Sequence, residues 1–219
     1  MAYIRRVISA ELRDLTSPTW DAAVGHRFVD EIWRGELEPA VLRAYLVQDH
    51  LFVDAFVALM GAAVATAGRP ESRLVHARQL GLVAGPESDF FSRALDALDV
   101  PLTDRTEPEL REPTRGFLDL MDSVRTSGDY AVCVAVLLVA EWIYLDWATR
   151  PGIEAPDEPV QREWIDLHRG PAFEEWVAFL RAELDWVAPR LDDDGRDRVR
   201  TAFTRAVELE LEFFDAAYS

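Results

Sequence analysis

Residues 131–147 read AVCVAVLLVAEWIYLDW. From Tyr130 to Ala140 the run carries no charge and no period-two alternation. A bilayer span takes about 20 apolar residues, so the run predicts a helix buried in a protein core rather than a membrane anchor. A helix that is apolar on every side needs neighbours on every side. Glu141 interrupts the run, and an ionised carboxylate is expensive to bury without a partner.

Outward from this run, helix punctuation dominates and strand signals are nearly absent. Ser127-Gly128-Asp129 separates it tightly from the helix before. Ser17-Pro18 predicts a short helix with Ser17 as its cap, and Glu38-Pro39 a long one running to Gly68. Arg69-Pro70 opens the next, and Gly85-Pro86 breaks it. Pro101 to Pro113 reads as a loop or frayed stretch, and Pro151 to Pro159 as the longest irregular connection. Gly170-Pro171 and Asp192 to Gly195 mark the last turns, with Asp192-Asp193-Asp194 suited to cap the final helix. The expectation is about eight to ten helices. Leu42, Tyr45, Leu46, Asp49, Phe52, Val53 and Phe56 fall at three- and four-residue steps, as do Phe203, Val207, Glu210, Leu211 and Phe214. No internal repeat or long linker is present, so residues 1–219 read as one all-α domain.

Composition excludes several chemistries. All 23 basic residues are Arg, which rules out Schiff-base lysines and a phosphate-loop lysine. The net charge of −17 opposes nucleic acid and anionic membranes as partners. Cys133 is the one cysteine, so there is no internal disulfide and no multi-cysteine zinc site. A reducing cytoplasm is the simplest compartment. The N-terminal MAYIRRVISAELRDL mixes charges into its apolar positions, unlike a signal peptide.

Two apolar stripes carry an acid at a core position: Asp49 in one, Glu210 in the other. Glu141 is the third. Each either pairs with an Arg, as in a purely structural bundle, or faces a polar cavity. Phe52, Trp142, Tyr144, Trp147, Phe213 and Phe214 surround them at helical spacing. They read as ordinary core or as a platform for a flat heterocycle whose nitrogens the carboxylates grip. His26, His50, His76 and His168 are dispersed, with neither a Glu-x-x-His nor a His-x-x-x-His pair, so neither metal nor cofactor is expected. His50 follows Asp49 directly and points about 100° away from it on a helix. There is no Gly-x-Ser-x-Gly elbow and no Gly-rich phosphate loop.

The segment from Thr19 to Phe56 resembles the start of the TenA/thiaminase II family. The resemblance rests on Trp20, His26, Phe28, Val29, Gly35, Leu37 and the run Tyr45-Leu46-Val47-Gln48-Asp49. LLVAEWIYLDW, REWIDLHRGPAF and AVELELEFFDAAY match later elements of that family in order. The resemblance implies a haem-oxygenase-like helical bundle without haem. It also implies hydrolysis of aminopyrimidines in thiamin salvage, with an aminomethyl- or formylaminomethyl-pyrimidine converted to its hydroxymethyl product. By the same resemblance Asp49 binds the pyrimidine, Tyr144 is the central tyrosine and Glu210 is the catalytic acid. Ala140 stands where one branch has a nucleophilic cysteine, Phe52 where a Tyr is expected, and His168 where another Tyr is expected. The chain therefore looks like the branch that works with carboxylates.

In that case Glu210 carries the proton and Glu141 is its partner, since two acids in one dry pocket push each other's proton affinities apart. Asp49 stays ionised toward the exocyclic amine, with Tyr144, Phe52, His168 and Phe214 holding the ring. A homo-oligomer, dimer or tetramer, is expected. The competing readings are a non-catalytic pyrimidine-binding or regulatory protein and an oxidase or oxygenase on the same bundle.

Overall fold

The computed structural model describes the backbone of residues 7–219 and, within them, all side chains but those of 86–88. The first six residues of the N-terminal segment, and the Pro86 side chain, lie outside that description. Twelve α-helices are seen among the described residues: α1 Ile8–Leu15, α2 Ser17–Val24, α3 Arg27–Arg34, α4 Pro39–Thr66, α5 Pro70–Leu82, α6 Ser88–Ala97, α7 Leu102–Thr106, α8 Glu112–Ser127, α9 Tyr130–Ala148, α10 Pro159–Leu167, α11 Pro171–Val187 and α12 Asp193–Ala216. There are no strands among the described residues. The fold is all-α, as the sequence predicts.

α9 is the axle. Every residue from Tyr130 to Tyr144 is buried, and the helix packs against α2, α4, α8, α11 and α12. Leu137, Leu138 and Ile143 are fully hidden, each stabilising the fold by roughly 1.5–3 kcal/mol. The Asp129 carboxylate accepts from the Ala131 backbone N–H at 3.1 Å and so caps the first turn. Gly128, at φ +70°, ends α8 in the left-handed conformation that lets the chain reverse within two residues. At Gly116 a Cβ would stand 2.7 Å from Leu209 Cδ2, so α8 and α12 cross closely there and a larger residue would make the Leu209 side chain shift.

α4 and α9 are both long and apolar enough to cross a membrane by length and composition. The most apolar window of α9 is 89% buried inside the bundle, which marks it as a core helix, against 28% for α4. Gln48 pins α4 to the chain before α8. Its amide donates to Glu109 O at 3.0 Å and accepts from Arg111 N at 3.0 Å and Thr114 Oγ1 at 2.7 Å.

Several local expectations need correction. α4 stops at Thr66, with Ala67 rather than Gly68 at its end. Thr16, not Ser17, is the residue flanking α2, and it makes no side-chain cap. Gly85-Pro86 does not break the chain: Val83–Glu87 forms a π-turn running straight into α6. A π-turn absorbs an extra residue without ending the helix. The Pro101–Pro113 stretch contains the short α7. Asp192 caps α12 as predicted, accepting from Gly195 N at 2.8 Å.

Candidate active site

α4 and α9 pack directly together, and a small cavity opens between them and α10. Its lining is Asp49, Phe52, Val53 and Phe56 from α4, Ala140, Glu141 and Tyr144 from α9, Trp164 from α10 and His168 just beyond it. Its volume is about 30 Å³. A roomier groove of about 650 Å³ lies elsewhere, between α8, the start of α9 and α12, where Arg198 pairs with Asp129 at 3.0 Å. Size alone would favour the groove. The buried acids and aromatic walls are at the smaller cavity, which makes it the candidate site.

The three acids are hidden to similar degrees: Asp49 is 5% exposed, Glu141 7% and Glu210 2%. Glu210 does not itself line the cavity. It stands behind it on α12, close enough for the charges of Asp49 and Glu141 to act on it. Burial, then Asp49, then Glu141, raise its carboxyl well above the ordinary carboxylate range. Its Oε1 is buried with no hydrogen-bond partner among the described residues. Glu141 Oε1 accepts the indole N–H of Trp176 at 2.8 Å.

Tyr144 meets a second phenol that sequence reasoning did not single out for the site. The Tyr45 and Tyr144 hydroxyls are 2.5 Å apart. Burial raises both phenols well above their usual range, with Asp49 adding to each. Neither is ionised at neutral pH, so the pair shares protons without bearing charge.

His168 Nδ1 lies 2.8 Å from the Trp164 carbonyl. A carbonyl only accepts, so Nδ1 carries the hydrogen. Burial lowers the imidazole to about 4. At neutral pH the ring is uncharged and Nε2 is an acceptor. Its ring packs 4.7 Å from Tyr144 and 4.3 Å from Trp164.

The aromatic residues divide into wall and backing. Phe52 is wall, set edge-on to Phe117 at 5.2 Å. Phe214 is backing: fully buried, it lies 5.3 Å from Phe28, 6.2 Å from Tyr45 and 6.3 Å from Tyr144, and does not line the cavity. Trp164, Val53 and Phe56 are wall residues that the sequence analysis did not select. Helical spacing carried a signal for two of them, since Trp164 precedes His168 by one turn and Phe56 follows Asp49 by two. Trp176 had no such signal, because α11 is distant in the chain.

The other histidines lie apart from this cavity. His26 caps α3, accepting from Phe28 N at 3.1 Å. His50 rests half-buried 5.6 Å from Phe91. His76 is buried, with Nε2 3.0 Å from the Tyr130 hydroxyl. Among the described residues no group of three or more His, Cys, Asp or Glu could hold a metal ion. Cys133 is buried, and burial with the nearby Asp129 charge pushes its thiol up to about 12.

Fold and cavity define the class: an all-α bundle with buried acids gathered at a small, aromatic-walled cavity. A sequence model of the TENA/THI-4/PQQC family matches residues 14–219, and the chain belongs to that family. It is 25% identical over 215 residues to the aminopyrimidine aminohydrolase of Halalkalibacterium halodurans, covering 96% of this chain and 95% of that protein. It is 24% identical over 216 residues to the aminopyrimidine aminohydrolase of Bacillus subtilis, covering 96% and 89% respectively. The solved TenA homologue of P. horikoshii OT3 superposes with a TM-score of 0.84 at 21% identity, over 97% of this chain and 99% of that one.

Proposed function

We propose that the chain is an aminopyrimidine aminohydrolase of thiamin salvage, working with carboxylates and no cysteine nucleophile. The relatives support the substrate class. The observation that carries the reading here is electrostatic: Asp49 and Glu141 line the cavity, and Glu210 lies close enough to feel both of their charges. Such a chamber takes a flat, basic, donor-rich ligand, and an aminopyrimidine with an aminomethyl arm is one.

In this reading Asp49 accepts from the exocyclic amine. His168 Nε2 is a second fixed acceptor, and Phe52 and Trp164 cover the ring faces, with Phe214 backing Tyr144. Glu141 takes a proton from water, whose oxygen forms the new C–O bond at the arm carbon. The C–N bond breaks, and the departing nitrogen takes a proton from the Tyr144 hydroxyl, which lines the cavity and is replenished by Glu210 behind it, so ammonia and the hydroxymethylpyrimidine leave. Ala140 offers no thiol, and Cys133 is buried two turns away on α9. The free thiol fits a reducing cytoplasm. Self-association into a dimer or tetramer is part of the same reading.

Glu210→Gln tests the reading. General acid–base catalysis contributes about 10²–10⁴-fold, and kcat is expected to fall by that much. Because Glu210 must be protonated and burial raises its carboxyl, wild-type kcat falls as pH rises through that raised value. Turnover within tenfold of wild type would remove Glu210 from the role. Tight aminopyrimidine binding by the wild type with no product would establish the regulatory alternative.

A further inference from the structure

Two carboxylates serve one chamber under unequal conditions. Glu210 Oε1 is buried with no donor among the described residues, while Glu141 Oε1 accepts a 2.8 Å bond from Trp176 Nε1. Indole N–H is a donor only. It stabilises a carboxylate more than a carboxylic acid, because a hydrogen bond to the charged form favours that form. Trp176 is fixed in place: 4% exposed, stacked on Phe179 at 5.6 Å and 17°, and met edge-on by His76 at 5.6 Å and 89°. It does not line the chamber, so it reaches the reaction only through Glu141.

We propose that Trp176 is a positioning residue whose indole N–H holds Glu141 ionised and aimed into the chamber, making Glu141 the base and leaving Glu210 as the proton donor. The hydrogen bond from α11 thus contributes to the division of labour between two chemically identical groups. This inference rests on the aminohydrolase reading for its kinetic arm, but not for its spectroscopic one.

Trp176→Phe removes the donor and keeps a ring against Phe179. Replacing Trp176 alone with its benzothiophene isostere keeps the bicyclic shape and likewise lacks the N–H, which covers the case where the phenylalanine variant does not fold. In either variant kcat for the aminomethylpyrimidine is expected to fall about tenfold or more with KM little changed. The acidic limb of the kcat profile, where Glu141 must lose its proton, moves to higher pH. The carboxyl carbon of Glu141, followed by ¹³C NMR titration, moves up with it. Adding either change to Glu141→Gln produces no further loss. A lower Tm with an unmoved limb and an unmoved Glu141 titration would overturn the proposal and reduce Trp176 to packing. Absence of turnover in the wild type would sink the aminohydrolase reading instead, and the carboxyl titration would still decide the role of Trp176.

Discussion

Glu183 and Glu210 are hidden to nearly the same degree, 1% and 2% exposed, yet they sit in opposite circumstances. Glu183, on α11, is surrounded. Arg69 pairs with its Oε1, Ser72 Oγ donates to the same oxygen at 3.0 Å, and Tyr130 Oη donates to Oε2 at 2.6 Å. Behind Tyr130 lies His76. Glu210 has an unpartnered oxygen, and the carboxylates nearest in effect repel it. Burial of an acid therefore does not separate function from structure in this protein. What separates them is whether the burial is compensated. Glu183, matched by a cation and two hydroxyls, fits a scaffold role, while in the proposed reading the unmatched oxygen of Glu210 marks the acid that keeps its proton for the reaction.

The largest test of that contrast is Arg69→Met. The cation leaves, Glu183 stays buried and unmatched, and breaking such a pair costs about 3–5 kcal/mol. Denaturant unfolding is expected to show this loss, with kcat within twofold wherever the variant is folded. A fall in turnover at unchanged stability would merge the two regions into one machine.

A second test uses the histidines, one on each side of the contrast. Burial lowers both His76 and His168 from 6.5 to about 4. The unfolded chain takes up their protons below pH 6.5 and the folded chain does not. Stability is therefore full above pH 6.5 and drains away as pH falls toward 4, by roughly 2–3 kcal/mol for each ring. His168→Gln is expected to flatten part of this acid slope in urea titrations. If the slope is the same with and without His168, the ring is not held neutral.

The smallest expected effect belongs to Cys133. It is completely buried on α9, with its thiol pushed up to about 12, so thiolate chemistry is shut off at neutral pH. Cys133→Ala is expected to keep kcat within twofold, and iodoacetamide to leave the native protein active. A tenfold loss would return a thiol to the mechanism.

The fold was legible because its helices are punctuated by Pro, Gly and Asp and striped with apolar residues, and both signals are local. The core placement of α9 followed from the charge-free run alone. Of the chamber, Asp49, Glu141, Tyr144, Phe52 and His168 were reachable because a polar group on an apolar stripe, or a resemblance in motif, drew attention to each. Phe214 was placed one layer too near, since spacing cannot tell a wall residue from the one behind it. Trp176 and the Tyr45–Tyr144 contact were invisible for a different reason. Each depends on a crossing between helices far apart in the chain, and helical periodicity says nothing about which faces meet. The π-turn at Val83–Glu87 was missed because Gly-Pro reads locally as a breaker, whereas here the helix runs on through it.

The chamber's about 30 Å³ has room for only a couple of water molecules. An aromatic ring is larger than that, so the proposed substrate fits only where the wall of Phe52, Val53 and Trp164 shifts to admit it. Apparent affinity is then weakened by the scarcity of the shifted form, since only that fraction can accept a guest. In the proposed reaction such narrow quarters ration the nucleophile, since a ring that fills them leaves space for little beyond the reacting water.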